Sequence, residues 1–265
     1  MSAIKRMNPL KYRSLFISDV HLGSRGCQAK YLLDFLQATH CKQLYLVGDI
    51  VDLWEMRNGI YWPEAHNAVV REVLEKARSG TEVIYIPGNH DELFRTHLGA
   101  EFGAVAIRDE VIHECANGER FLVLHGDRFD GVVQQSRWLA QVGASAYDNL
   151  LALNGLLNRI RRRLGLRYWS LAGYLKQRVK HAVQYIGNFE QALALEAQRI
   201  GVNGMICGHI HHAEMREIGA TLYCNCGDWV ESCTALVEHH DGRLELVRWV
   251  DVAEETVGVA LPVAA

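Results

Sequence analysis

Short apolar runs, each stopping at a cluster of glycine and ionisable residues, punctuate this chain. The first runs from Ser14 through Leu15-Phe16-Ile17 into Ser18-Asp19-Val20-His21. Brief continuous apolar runs bounded by turn residues read as buried strands. Gln43 to Val47 is a second, entering Gly48-Asp49-Ile50-Val51-Asp52, and Val83 to Ile86 is a third, entering Pro87-Gly88-Asn89-His90-Asp91. Phe121 to Leu124 delivers His125-Gly126-Asp127, and Met205 to Cys207 delivers Gly208-His209-Ile210-His211-His212. Between the runs the period changes. Leu32, Leu33, Phe35 and Leu36 predict a helix over Cys27 to Ala38. Pro63 suits the first turn of another, with Val69, Val70, Val73, Leu74 and Ala77 on its apolar face and Gly80 closing it. Asn117-Gly118 predicts a hairpin with a type I′ turn, and Asp241-Gly242 separates two antiparallel strands, Ala235 to Glu238 and Leu244 to Val247. The alternation of strand and helix predicts an α/β fold.

Composition narrows the class without naming a chemistry. The 265 residues, 49% hydrophobic and 22% charged, suffice for a full core. A net charge of −3 gives no global case for nucleic-acid binding. No apolar run approaches the roughly 18 to 20 residues of a membrane span, and the polar start from Met1 to Lys11 has no h-region of a signal peptide. The seven cysteines are odd in number and scattered, with no second pair to match Cys224-Asn225-Cys226 at zinc-ribbon spacing. Reduced thiols and a cytoplasmic location are the expectation.

The polar groups at the five strand ends change the picture. Taken singly, each has a bland explanation: Asp or Asn after a strand is turn chemistry, and a histidine there is a hydrogen-bonded structural residue. Asp52 and Asp127 fit that description, or orient neighbouring ligands. Five repetitions are harder to explain that way. Glycines before Asp49, Asn89 and His209 suit close approach of backbone to a site. Asp19 and His21, two apart, would face the same way on a strand. Asp49 suits a bridge between two ions, with Asp19, His21 and His211 completing one site and Asn89, His125 and His209 the other. Two cations roughly 3.5–4 Å apart would clamp an in-line displacement. Carboxylate, carboxamide and imidazole without thiolate favour Mn²⁺ or a similar divalent ion.

In order, Asp-x-His, Gly-Asp-x-x-Asp, Gly-Asn-His-Asp, His-Gly-Asp and Gly-His-x-His resemble the motifs of the calcineurin-like metallophosphoesterases. The resemblance implies a four-layer αββα sandwich, the same seven ligands, and catalytic roles for His90 on the developing charge and for Asp91 in orienting the His90 ring. Within that family the chain resembles the hydrolases of UDP-2,3-diacylglucosamine. The resemblance rests on Ser18 to Gly23, Gly48 to Trp54 and a basic interval between His125 and His209. It implies a lipid-linked nucleotide as substrate, with contacts from Asn89, Lys176, Arg178 and Lys180. One departure stands out: those hydrolases carry Arg after the Gly-Asn, where this chain has His90. The expected organisation is a core over residues 12–128 and 203–252, interrupted by a helical cap over 129–202. From Phe129 to Ile200 there are ten Lys/Arg and four Asp/Glu, a net +6 that leaves −9 elsewhere. Leu150, Leu153, Leu157, Ile160 and Leu164 form one helical stripe; Leu171, Leu175, Val179, Val183 and Ile186 form another. A solvated arginine face is one reading; an amphipathic cap on an anionic membrane surface is the other. No obligate protein partner is evident. A soluble phosphoester as substrate, or a non-catalytic membrane-binding module, are the alternative functions.

Overall fold

A computed structural model describes residues 9–57, 59–132 and 171–252. In chain order the elements are β1 (Leu10–Lys11), β2 (Ser14–Ile17), α1 (Ala29–Ala38), β3 (Thr39–His40), β4 (Gln43–Val47), α2 (Leu53–Met56), α3 (Glu64–Arg78) and β5 (Glu82–Ile86). There follow β6 (Glu101–Phe102), β7 (Val105–Ile107), β8 (Val111–Glu114), β9 (Arg120–Val123) and α4 (Leu171–Ile200). The last are β10 (Gly204–Cys207), β11 (Glu214–Ile218), β12 (Thr221–Asn225), β13 (Thr234–Glu238) and β14 (Leu244–Arg248). The chain divides into two compact units, residues 1–127 with 193–265, and residues 128–192.

Two large sheets and a two-stranded parallel pair of β1 with β3 make the first unit. The larger has the order β14-β13-β2-β4-β5-β7-β6, with β2, β4, β5 and β7 parallel and β13 antiparallel to β2. The smaller has the order β11-β12-β10-β9-β8, with β9, β10 and β12 parallel. Side-chain alternation sorts the core. Phe16, Tyr45, Val47, Ile84 and Ile86 pack with Phe121, Val123, Ile206 and Cys224 between the sheets. Leu15, Ile17, Leu44 and Leu46 face the other way and cluster with Leu32, Phe35 and Leu36 of α1 and Val69 and Ala77 of α3. On the far side of the smaller sheet, Leu122, Met205 and Tyr223 are also fully covered, as are Leu193, Ala194 and Ala197 on the last turns of α4. The order is helix, sheet, sheet, helix, as the α/β sandwich requires.

The structure corrects several expectations. β2 ends at Ile17, so Asp19 and His21 do not share a strand face. Leu74 of α3 is 48% exposed, and only its neighbours on the stripe reach the core. The hairpin joining β8 and β9 uses a three-residue loop instead of a type I′ turn. The Gly118 N–H donates to Cys115 O, the Cys115 N–H donates to Glu119 O, and only Gly118 adopts positive φ. That is a type I turn followed by a left-handed glycine, the next most common hairpin solution. α3 closes as expected: the Thr81 N–H donates to Lys76 O and the Gly80 N–H to Ala77 O, with Gly80 at φ +99°, a Schellman ending. The cysteines form no disulfide. The helical stripe from Leu150 to Leu164 and the cluster Arg159, Arg161, Arg162 and Arg163 lie outside the described residues. No described helix is long and apolar enough to cross a membrane.

Candidate metal centre

Left-handed backbone marks the site. Asp19, His21, Asp49, His209 and His211 have φ between 50° and 74°, and among the described non-glycine residues only Cys233 shares that conformation. Each such residue costs roughly 1–2 kcal/mol, so strain is concentrated where the five loops meet. These turns aim the side chains inward, in place of the strand alternation that the sequence suggests for Asp19 and His21. The loops are cross-braced through their backbones: the Asp19 N–H donates to Gly48 O at 3.0 Å and the His21 N–H to Asp49 O at 2.9 Å.

The glycines are there for closeness. A Cβ on Gly48 would lie 2.2 Å from the His125 ring, one on Gly88 2.2 Å from Asp49 Oδ1, and one on Gly208 2.3 Å from Asp19 Oδ2. No side chain fits in any of the three places.

The acidic and imidazole groups at the strand ends converge as three clusters: Asp19, His21 and His211; Asp49, His125 and His209; and His21, Asp49 and His90, which shares a residue with each of the other two. His211 Nε2 is 3.2 Å from Asp19 Oδ1 and 3.3 Å from His21 Nε2. Asp49 Oδ2 lies 3.4 Å from His125 Nε2 and 4.0 Å from His21 Nε2, so one carboxylate oxygen stands between the two groups. Asp19 Oδ1, Asn89 Oδ1 and His125 Nε2 are buried and lack a hydrogen-bond partner. Orphaned buried polar atoms are rare; Asp19 Oδ1 and His125 Nε2 belong to the two outer clusters, and carboxylate oxygen, carboxamide oxygen and imidazole nitrogen are donors a divalent cation takes. The residues fit two ions.

Electrostatics agree. Burial alone would raise the Asp19 and Asp49 carboxyls, yet His211 beside the first and His125 beside the second hold both below the usual carboxylate range. Burial would likewise depress the imidazoles, but Asp49 pushes His125 up to about 10 and Asp19 pushes His211 up to about 9. Such a nest of anions attracts protons or metal cations, and a bound cation would take the place of the protons.

Asp52, read from sequence as a turn or supporting residue, is a hub. Its Oδ2 is 2.9 Å from His21 Nδ1 and its Oδ1 is 2.9 Å from His90 Nδ1. It also caps α2 by accepting the Glu55 N–H at 2.9 Å. The His90 ring lies against Trp54, with centroids 4.2 Å apart and planes tilted by 32°. Burial opposes charging of His90, but Asp52, Asp49 and Asp19 outweigh it and raise its pKa.

Asp91 does not orient His90. Its carboxylate accepts the N–H groups of Gly88 at 2.6 Å and Ile50 at 2.8 Å and the hydroxyl of Tyr85. It shapes the Gly48–Val51 turn that carries Asp49, and the orienting acid is Asp52. Sequence adjacency points to the wrong carboxylate here; the Asp three residues after Asp49 is the one that reaches. Asp127, after His125, pairs in bidentate fashion with Arg95 at 2.9 and 2.7 Å. Lys176, Arg178 and Lys180 lie along α4 in the second unit.

The chain matches the family described as Calcineurin-like phosphoesterase over residues 12–213. It is 25% identical over 236 residues to a UDP-2,3-diacylglucosamine hydrolase of Haemophilus influenzae, covering 85% of this chain and 94% of the relative. It is 29% identical over 206 residues to one of Pseudomonas paraeruginosa, covering 74% and 81%. Among solved structures, a phosphoesterase from E. coli superposes with a TM-score of 0.40 at 15% identity, covering 89% of this chain and 98% of that one.

Proposed function

Because the chain belongs to the calcineurin-like phosphoesterases and is a metal-dependent hydrolase, we propose that it cleaves the pyrophosphate of UDP-2,3-diacylglucosamine, giving UMP and 2,3-diacylglucosamine 1-phosphate. One observation carries the substrate: the similarity to proteins of that name extends along 85% of this chain, well beyond the metal-binding loops.

Asp19, His21 and His211 would hold one ion, Asn89, His125 and His209 the other, and Asp49 would bridge them. Mn²⁺ is the proposed metal in both. When bound, such ions supply Lewis acidity at phosphorus and lower the pKa of water. The chain's own part is positional. Asp52 and Trp54 fix the His90 ring, so that its other nitrogen serves the departing phosphate as a hydrogen-bond donor. Asp91 keeps the Asp49 turn rigid. The Asn89 carboxamide, Lys176, Arg178 and Lys180 are proposed contacts to the substrate. The interval 129–202 is proposed as a cap domain whose arginines, Arg159 and Arg161 to Arg163, rest on an anionic membrane surface from the cytoplasmic side.

The second reading, a soluble phosphoester, is favoured by His90 standing where the related hydrolases carry Arg. One assay separates them. Purified protein with Mn²⁺ is given UDP-2,3-diacylglucosamine or, separately, bis(p-nitrophenyl) phosphate. Release of UMP at a far higher kcat/KM than the chromogenic turnover is expected. Chromogenic turnover without UMP release would overturn the lipid substrate and leave the phosphoesterase. Salt-sensitive binding to anionic vesicles, lost when the four arginines become Gln, is expected; its absence in the wild type would overturn the membrane role.

A further inference from the structure

The loop that presents His21 is a four-residue turn with an unusual anchor. The Ser24 N–H donates to His21 O at 3.0 Å, and Gly23, third in the turn, has φ +108°. Positive φ at that position is the signature of a type II turn. Types I and II differ by a flip of the central peptide, here Leu22–Gly23, whose orientation is held from both sides: the Leu22 carbonyl accepts the Asp52 N–H, and the Gly23 N–H needs an acceptor opposite. It finds His66. The Gly23 N–H donates to His66 Nδ1 at 3.0 Å inside the protein.

His66 sits in the first turn of α3 and is 2% exposed. Tyr61 and Trp62 meet its ring edge-on, at 5.8 and 5.5 Å between centroids. An imidazole nitrogen that accepts a backbone N–H must be bare, so the ring is neutral and carries its proton on Nε2. Burial keeps the ring's pKa below the ordinary imidazole value, and the positive end of α3 acts in the same sense. The turn has no slack elsewhere. The Leu22 N–H donates to Ile50 O at 2.9 Å, and the Asp52 N–H donates to Leu22 O at 2.7 Å. A Cβ on Gly23 would meet the Met56 sulfur at 2.9 Å. His66 belongs to none of the sequence motifs and to none of the acidic and imidazole clusters at the strand ends.

We propose that His66 is a positioning residue for the metal centre: its bare Nδ1 holds the Leu22–Gly23 peptide in the flipped orientation and so fixes the turn that presents His21. Without that acceptor the buried Gly23 N–H is left unsatisfied and the peptide is held through the Leu22 carbonyl, which loosens the turn and the placement of His21 against Asp52 and His211. The inference rests on the metal-centre reading above.

The test sets acceptor against volume. In His66→Asn the side-chain oxygen stands where Nδ1 stood, but the ring volume is lost. In His66→Leu the volume is kept and the acceptor is lost. Mn²⁺ affinity of the purified proteins, measured by calorimetric titration, is the readout, with thermal unfolding recorded beside it. His66→Leu should bind Mn²⁺ about tenfold more weakly, the low end for residues that orient ligands, and His66→Asn should stay near wild type. Wild-type affinity in His66→Leu, or equal losses in both variants, would overturn the proposal. If His66→Leu does not fold, His66→Gln takes its place, since its acceptor lies one bond farther out, and the same two results apply. A wild-type protein that binds no Mn²⁺ would overturn the metal-centre reading itself, which is a different result from any difference between the variants.

Discussion

Asp49 is the residue on which the site turns, since one of its oxygens stands between His125 and His21. Asp49→Ala should abolish turnover and metal binding together, as read by activity and by metal content after dialysis. His90→Gln should lower kcat by about 10²–10⁴, the range of a positioned acid or donor, and leave metal content unchanged. Asp52→Asn should do both in part: it weakens the hold on His21, costing about 10–100-fold in metal affinity, and it releases the His90 ring, lowering kcat. An Asp52→Asn variant with wild-type metal affinity would remove that carboxylate from the support of His21. The aspartates and histidines that the structure gathers into clusters were legible in the sequence because glycines and strand ends flag them. The division of labour between Asp52 and Asp91 was not, because it depends on which carboxylate folds back onto which loop. Adjacency to His90 says nothing about contact.

At the scale of elements, the parallel strands β2, β4, β5, β9 and β10 and both α1 and α3 could be read from apolar runs and helical periodicity, whereas the parallel strands β7 and β12 could not. The short edge strands escaped. β11 reads Glu-Met-Arg-Glu-Ile and is partly exposed, and β6 has two residues, so neither carries a pattern. The loops between strand and helix hide more, since left-handed φ at aspartate and histidine leaves no mark in the sequence. Where glycine supplies the turn, the consequence is testable without touching the site. Gly80 ends α3 at φ +99° with open space around the position of a Cβ. Gly80→Ala should therefore cost roughly 1 kcal/mol in unfolding free energy, from backbone conformation alone, and leave activity unchanged. Gly88→Ala, where the Cβ would press on Asp49 Oδ1, should instead lose metal binding.

At the scale of the molecule, a buried polar network ties the two sheets together away from the metal centre. Glu238 of β13 accepts from Ser14 Oγ at 2.7 Å and the Ala116 N–H at 2.8 Å, pairs with Arg13 at 2.6 Å and lies 2.9 Å from Nε2 of His113 on β8. The His113 Nδ1 meets the Tyr45 hydroxyl of β4 at 2.9 Å. Burial would raise the Glu238 carboxyl, but His113, Ser14, the Ala116 N–H and Arg13 hold it down at about 2, against 4.5 for an ordinary glutamate. A folded-state pKa below the unfolded one stabilises fully above pH 4.5 and is lost as the pH falls toward 2. Glu238→Gln should thus lower the unfolding temperature most near neutral pH, with the gap closing between pH 4.5 and 2; a gap independent of pH would contradict this. The sheets and their network are scaffolding for a centre that joins strand ends from both, and that centre is what the whole account depends on. Anomalous diffraction at the manganese edge from crystals grown with Mn²⁺ tests it most directly. Two peaks roughly 3.5–4 Å apart are predicted, one among Asp19, His21 and His211, the other among Asn89, His125 and His209, with Asp49 touching both. A single peak, or none in this cluster while the protein hydrolyses phosphoesters, would contradict it.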